Sequence, residues 1–591
     1  MAIGAIAGAI IARFCAPLIL PFFRVPDGGV GFVTIHQYPK GWDYAVLVLV
    51  LGFSFLGGVL ANAAGHATLP SSEDAPLVPR KVVWILAATV FVLMLFVHDQ
   101  PYVLMDMFHE GEHLTPAFLM REGSRPYGDI FLLHGLAVDG GLDALFMGTP
   151  PSPWRVRRLN TILNAATLAL LVPLAAEVCV TTTGLLLGVL LSLTALGAGQ
   201  AIGFPFFRLA PLLVAAIAYL RYARTSRPIC LAAAFSASTL GLLWSLDTGM
   251  YAIAATGVLA VTGLVRARRL PSRGEVFAGV VALALPLIVL LIVRADIRRF
   301  LIDSFVIIPA AIDAVWSLPV KQGVSIETVR YYGALVFYGV LLALAWSAGD
   351  LGRVKEAGRP AHAPLLQQRI AIFAIFAVML FRTAAGRMGW GHTRYAMPFI
   401  GIAAVAFLIE PLIRRGRGLY ACLVALPFLI ALEVADNIIY AAKSLAGWPS
   451  RQEHSGLVPY PLGTGKGLYT TPQNATELAA LNGLVDSFGP EATFFDFSNE
   501  RALYYLLKRA PPVRCPDVPM LSNPILLAEA MAELNAHPPA CVIVAGEPVL
   551  GTFDGIPNAV RVPDLARWID ANYPRREQIG RFTVGLPENR R

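Results

Sequence analysis

Lys81 to His113 reads KVVWILAATVFVLMLFVHDQPYVLMDMFHEGEH, an apolar run that turns within a few residues into a stretch dense in acids and histidines. The run 81–97 is continuous rather than alternating and close to the ~20 residues a helix needs to cross hydrocarbon, so it reads as a spanning helix and not as a barrel strand. Comparable runs recur at 3–23, 44–64, 159–178, 183–203, 207–222, 229–246, 248–265, 276–294, 329–347, 369–383, 394–413 and 418–440. The 591 residues are 56% hydrophobic and 15% charged, against about 25% charged in a soluble domain. The fold class implied is an α-helical polytopic membrane protein with about thirteen transmembrane helices. Ala2 to Phe23 has no charged leader and no small-residue cleavage site, and reads as a helix rather than a signal peptide.

The net charge of +8 is concentrated in short loops between apolar runs. That is the positive-inside pattern and not a nucleic-acid footprint. With a cytoplasmic N-terminus, the basic groups around Arg221/Arg224/Arg227, Arg266/Arg268/Arg269/Arg273, Arg353/Lys355/Arg359/Arg369 and Arg414/Arg415/Arg417 all fall inside. The loops 98–158, 295–328 and 384–393 and everything after 440 then fall outside, with Arg294, Arg298 and Arg299 as exceptions to the rule. The expectation is a multi-pass protein of the cell inner (plasma) membrane, in contact with membrane lipids, with its chemistry extracytoplasmic. Asp247, Glu177 and Glu410 lie near helix ends rather than mid-bilayer, which disfavours an ion-coupled transporter.

From 441 the character changes. Strand-like Ala492–Ser498 and Cys541–Ala545 alternate with helical 499–508, 524–537 and 563–573. The chain therefore divides into a transmembrane domain, 1–440, and a small extracytoplasmic α/β domain, 441–591. No glycine-rich phosphate loop follows either strand, so this domain reads as a lid or docking element without chemistry of its own. Cys515 and Cys541 fall in it and are candidates for a disulfide.

The loop after the third run gathers Asp99, Asp106, His109, Glu110, Glu112, His113, Glu122, Asp129, His134 and Asp139. Hydrated surface acids are the bland reading. The aromatic and aliphatic residues between them imply packing on the membrane surface, where partial desolvation tunes a carboxylate as a base. His109-Glu110-Gly111-Glu112-His113 also matches H-E-x-x-H, which sets two zinc-ligating histidines, His109 and His113, four residues apart on a helix with Glu110 as base. Against a zinc peptidase, Gly111 weakens that helix by ~1 kcal/mol.

Taken whole, the acids just after an early span, the apolar stretch that follows, then Gly123-Ser124-Arg125-Pro126-Tyr127-Gly128-Asp129 and His134-Gly135, resemble the first outer loop of the GT-C superfamily of polyprenyl-phosphate-sugar-dependent glycosyltransferases. The layout of many spans, a second long outer loop and a C-terminal outer domain is similar more loosely. The resemblance implies a GT-C-like fold. It also implies an integral membrane glycosyltransferase, a hexosyl- or pentosyltransferase, that moves a sugar from a polyprenyl-phosphate donor to a lipid, glycan or protein acceptor by inverting displacement. An acid early in the loop would deprotonate the acceptor. Glu112 matches best, then Glu110, then Asp106, with Asp129 as the supporting acid. His109, His113, Tyr127 and His134 would contact substrate. The His-Glu-Gly-Glu-His start departs from the usual paired acids, which leaves Glu110 and Glu112 as alternative bases and a divalent metal as an open question.

Displacing a phosphate from an anomeric carbon also needs positive charge on the departing group. Arg387, His392 and Arg394, in 381–398, and Lys321, in the second outer loop, are the candidates for the lipid phosphate. The alternatives to a transferase are a membrane zinc metallopeptidase using HEGEH and a transporter.

Overall fold

A computed structural model describes residues 28–63, 78–99, 104–200, 205–321, 323, 325–347, 364–447, 456–545 and 551–588. The expected span 3–23, the end of the expected span 183–203 and the basic residues 353–359 lie outside them. Eight helices among the described residues are long and apolar enough to cross a membrane: Gly41–Leu60, Arg80–His98, Pro153–Ala176, Phe206–Thr225, Leu246–Val265, Arg273–Ile292, Ile326–Trp346 and Gln367–Gly386. The chain is a multi-pass α-helical membrane protein.

Four further expected spans are short, interrupted or bent among the described residues. Thr182–Ala195 has 14 residues, about 21 Å at 1.5 Å per residue, against ~30 Å of hydrocarbon. Pro228–Trp244 has 17 and is also short. The segment 400–414 is interrupted by a π-helical turn, Val405–Ile409, just before Pro411. Proline has no N–H for the carbonyl of Phe407 and its ring crowds that carbonyl, so the ladder shifts there. Gly418–Ala431 and Val434–Ala446 pass as one span only as a pair bent by 57°. At the bend Glu433 has φ +48 and is held by Arg330 at 2.7 Å and by Arg394, while Arg330 also donates to the Ala431 carbonyl. Those guanidiniums satisfy polar groups that a broken helix would otherwise leave bare in an apolar surround.

Helix pairing relies on small residues, because lipid tails give no hydrophobic reward for association. A Cβ on Gly58 would stand 2.3 Å from that of Ala343, and one on Gly339 2.5 Å from that of Ser54. These positions bring Gly41–Ala63 and Ile326–Ser347 into direct contact. At one end of the bundle Arg221 and Arg224 hold Glu177, and Arg269 holds Glu275.

After 456 the chain forms a four-stranded sheet in the order Phe494–Asp496, Cys541–Ala545, Phe582–Leu586, Arg575–Ile579. The first pair is parallel, with Phe494 opposite Cys541, and the others are antiparallel. Helices Pro472–Asp486, Pro524–Ala536 and Pro563–Asn572 accompany it. The expected helix 499–508 is reduced to Ala502–Leu506. The hairpin of the last two strands was not anticipated, because Arg575–Ile579 carries mostly exposed polar side chains and lacks a buried alternation. Cys515 and Cys541 are both buried, and the candidate disulfide between them is not formed.

The α/β unit is seated on the bundle by buried charge. Arg514 donates to Asp303 at 2.7 Å, to Glu529 at 3.0 Å and to the Tyr127 carbonyl at 3.1 Å, and its own carbonyl accepts from Phe131 N–H. Asp303 lies in a long bent helix, 297–315, whose inner face, Ile307, Ile308, Ala311 and Val315, shares a core with Met520 and Leu521. Residues 28–31 run between that helix and the α/β unit, with Asn523 donating to the Gly28 carbonyl and Ser522 Oγ accepting from Val30 N–H. Removing one partner of a buried pair strands the other charge. Arg514→Met is expected to destabilise the folded protein by ~3–5 kcal/mol, read as a lowered thermal-unfolding midpoint in detergent. Arg514→Met with Asp303→Leu should recover a large part of that loss, and no recovery would mean that the pair is not what seats the unit.

Candidate active site

Within HEGEH the helix begins only at Gly111 and runs to Arg121. Residues 107–110 form the preceding turn, capped by Asp106, which accepts from the backbone of Phe108 and His109 at 3.1 and 3.0 Å and meets His109 Nδ1 at 2.7 Å. Gly111 is required by its neighbour across the fold. A Cβ there would lie 2.4 Å from Ala502 N and 2.7 Å from the Arg501 carbonyl carbon. Two hydrogen bonds tie that strand of chain to the helix, Ala502 N–H to the Met107 carbonyl at 3.0 Å and Thr115 Oγ1 to the Arg501 carbonyl at 2.8 Å.

The motif's side chains go separate ways. His109 is exposed and paired with Asp106, whereas His113 is turned inward onto Asp143 at 2.6 Å. Both imidazoles have raised pKa values. For His109 the Asp106 hydrogen bond outweighs burial; for His113 burial opposes protonation, but the charge and hydrogen bond of Asp143 exceed it. Glu110 receives a two-point contact from Arg157, Nε at 2.8 Å and Nη2 at 2.7 Å. No group of three or more His, Cys, Asp or Glu among the described residues is placed to hold a metal ion. The zinc reading therefore does not fit this donor set: its first histidine precedes the helix, and each of its three residues is committed to a different partner.

Glu112 faces a small cavity with Thr115, His134, Asp139, Arg501 and Asp517. The cavity is about 30 Å³, room for about two waters and far below the ~300 Å³ of a small-molecule pocket. Arg501 sits between two carboxylates, 2.8 Å from Asp517 and 3.5 Å from Glu112, with Phe108 stacked at 4.5 Å on its guanidinium. Burial raises the pKa of Asp517 in spite of Arg501. On the far wall Asp139 accepts from His134 N–H at 2.6 Å and meets its Nδ1 at 3.0 Å. Burial opposes charge on His134, and Asp139 raises its pKa overall.

A cationic group adjoins this cavity. Arg208 pairs with Asp247 at 3.0 Å, and its charge acts on both His134 and His392. His392 is pushed down to about 4, by burial first and then by Arg387 and Arg208. Arg387 forms a two-point contact with Asp554, both bonds 2.7 Å, and bonds the Trp316 carbonyl at 2.8 Å. Trp316, Phe553 and Phe108 pack there as an aromatic cluster.

Several expected residues lie elsewhere. Asp129 is a surface group paired with Arg125 in its own turn, at 3.1 Å. Tyr127 is buried against Phe300, with φ +63. Arg394 belongs to the Glu433 bend and Lys321 pairs with Glu327. Sequence reasoning missed Arg501, Asp517 and Arg208. The first two have no local motif and reach the cavity only through the docking of the α/β unit. Arg208 carried one readable sign, a lone cation at the head of an apolar run.

No family model matches the chain, and no curated protein matches it. Among solved structures, ArnT from Cupriavidus metallidurans bound to undecaprenyl phosphate is similar at 14% identity and TM-score 0.44, over 86% of this chain and 98% of that one. The same protein in the apo state is similar at 12% and 0.38, over 86% and 98%. Arabinosyltransferase EmbB from Mycobacterium smegmatis is similar at 14% and 0.33, over 70% of this chain and 45% of that one. At such identities and scores, the functional reading rests on the geometry of the site.

Two more carboxylates beside the cavity loop titrate high. Burial raises Glu500 to about 7 and Asp496 to about 6. A carboxyl whose pKa rises on folding stabilises the fold fully below its unfolded value and loses that contribution as pH climbs through the folded one. The raised histidines His109 and His113 act with the same sign. Because the depressed His392 acts with the opposite sign below its ordinary value of 6.5, the thermal-unfolding midpoint is expected to fall between about pH 6.5 and pH 8, and Glu500→Gln to flatten the slope. A midpoint that rises over this interval would contradict these assignments.

Proposed function

We propose that the protein is a GT-C-type membrane glycosyltransferase that takes a sugar from a polyprenyl-phosphate donor on the extracytoplasmic side and passes it to a hydroxyl-bearing acceptor with inversion. The observation that carries this reading is a half-buried carboxylate, Glu112, in a cavity shared with His134, which lies within electrostatic reach of the Arg208 guanidinium. Attack by a hydroxyl on an anomeric carbon requires a carboxylate to remove the proton and a cation to receive the leaving charge. In the proposed step Glu112 takes the acceptor proton, the new C–O bond forms on the face opposite the phosphate, and the anomeric C–O bond breaks to leave the lipid phosphate.

Glu112 is preferred to Glu110, because Glu110 is spent on Arg157 while the contact of Glu112 with Arg501 is loose at 3.5 Å. Asp139, with His134, is preferred to Asp129 as the second acid, since it lines the cavity. The phosphate side is assigned to Arg208 and Arg387, with His392 as a neutral hydrogen-bonding neighbour, rather than to Arg394 or Lys321. The domain division at 440 enters the same reading, with the α/β unit closing over the site.

Purified protein incubated with radiolabelled polyprenyl-phosphate sugars tests this. Wild type is expected to release or transfer label. Glu112→Gln should lower the rate by ~10²–10⁴ while melting like wild type, and Asp129→Asn should stay within about threefold, as for a weak surface pair. Equal rates for wild type and Glu112→Gln would remove Glu112 from the chemistry, and no turnover of any donor would remove the donor class.

A further inference from the structure

We infer that Arg501, carried by the C-terminal α/β unit, is the positioning residue for Glu112, so that this unit completes the active site and does not merely cover it. The inference rests on the proposed role of Glu112.

Four observations converge on it. The chain at 501–502 is fastened to the Glu112 helix and the turn before it at two points, by Ala502 N–H to the Met107 carbonyl and Thr115 Oγ1 to the Arg501 carbonyl. The approach is so close that only glycine fits at 111. The Arg501 side chain, 7% exposed, is thereby delivered into the cavity between Phe108, Asp517 and Glu112. Its two ion-pair contacts are unequal, the buried Asp517 at 2.8 Å and Glu112 at 3.5 Å, and both act through charge rather than through a hydrogen bond. A buried cation with a nearer and a farther carboxylate orients the farther one by charge while leaving it free to accept a proton. The rigid planar guanidinium suits this task better than a flexible ammonium.

Arg501 has no equivalent within the loop that holds Glu112. Of the arginines there, Arg121 and Arg125 bond Thr149 and Asp129 on the exposed side, Arg157 takes Glu110 and Arg158 takes Asp99. The C-terminal unit is thus the source of the guanidinium beside Glu112, and the Glu112 charge also acts on His109, His113 and His134. This also gives the glycine in HEGEH a purpose that the metal-site pattern does not.

The test uses full-length protein in nanodiscs and a water-soluble carbodiimide with an amine probe, with labelling of Glu112 quantified by mass spectrometry. A carboxylate held by a guanidinium reacts slowly. Arg501→Gln is expected to raise the Glu112 labelling rate by about threefold to tenfold, Arg501→Lys to return most of the way to wild type, and Asp517→Asn to fall between. Thermal unfolding of each variant separates this from loss of the fold, and Asp517→Asn gives a second route if Arg501→Gln is unstable. In donor turnover, Arg501→Gln should lower kcat with little change in KM for the donor, and Arg501→Lys should recover activity in part. Unchanged Glu112 labelling in both Arg501→Gln and Asp517→Asn overturns the inference. A wild type that turns over no donor sinks the glycosyltransferase reading alone, and the labelling ratio still decides whether Arg501 holds Glu112.

Discussion

A charge in hydrocarbon must be paired or moved to water, and the architecture follows from that constraint. The spanning helices keep their ionisable groups near their ends, with Glu177, Arg221 and Arg224 at one. The acids of loop 104–152, the helix 297–315, the turn at 387–394 and the α/β unit meet as a separate polar body. Groups there are dry enough to be tuned and wet enough to be charged. Glu433, at a bend within an apolar pair of helices, obeys the same rule by taking two arginines.

Three arginine seams hold the polar body together, and each joins segments far apart in the chain. Arg514 binds Asp303, Arg387 binds Asp554, and Arg501 meets Asp517 and Glu112. Their partners differ in burial, and so do their consequences. Asp303 is fully buried, which makes its seam structural. Arg501 lies where a cavity has been left open beside Glu112. The same ion-pair chemistry serves docking at one place and orientation at another, and the local space decides which.

HEGEH illustrates how a short pattern changes meaning in context. Its i, i+4 histidines imply a shared face only if one helix contains both, and here the helix starts between them. Asp106 caps the turn and takes His109, Asp143 takes His113 and Arg157 takes Glu110. Glu112 is left facing the cavity. Gly111 looked like a helix defect in the sequence and proves to be a packing requirement set by residues 390 positions downstream.

The sequence by itself determined the solvent and the class of fold, because hydropathy acts residue by residue: continuous apolar runs demand helices in lipid, and the alternation of short strands and helices after 456 demands an α/β unit. It also marked the loop where acids and histidines accumulate. It did not mark where spans are interrupted, since a π turn before Pro411 and a bend at Glu433 arise from backbone sterics and long-range ion pairs that a hydropathy window averages away. Tertiary structure alone decided which acids face the cavity. Asp129 and Glu112 look alike as letters, but one finds a local arginine four residues back and the other receives Arg501 from the far end of the chain. Side-chain partnership is a property of three-dimensional proximity, and no pattern within the loop encodes a partner that arrives by the docking of another unit.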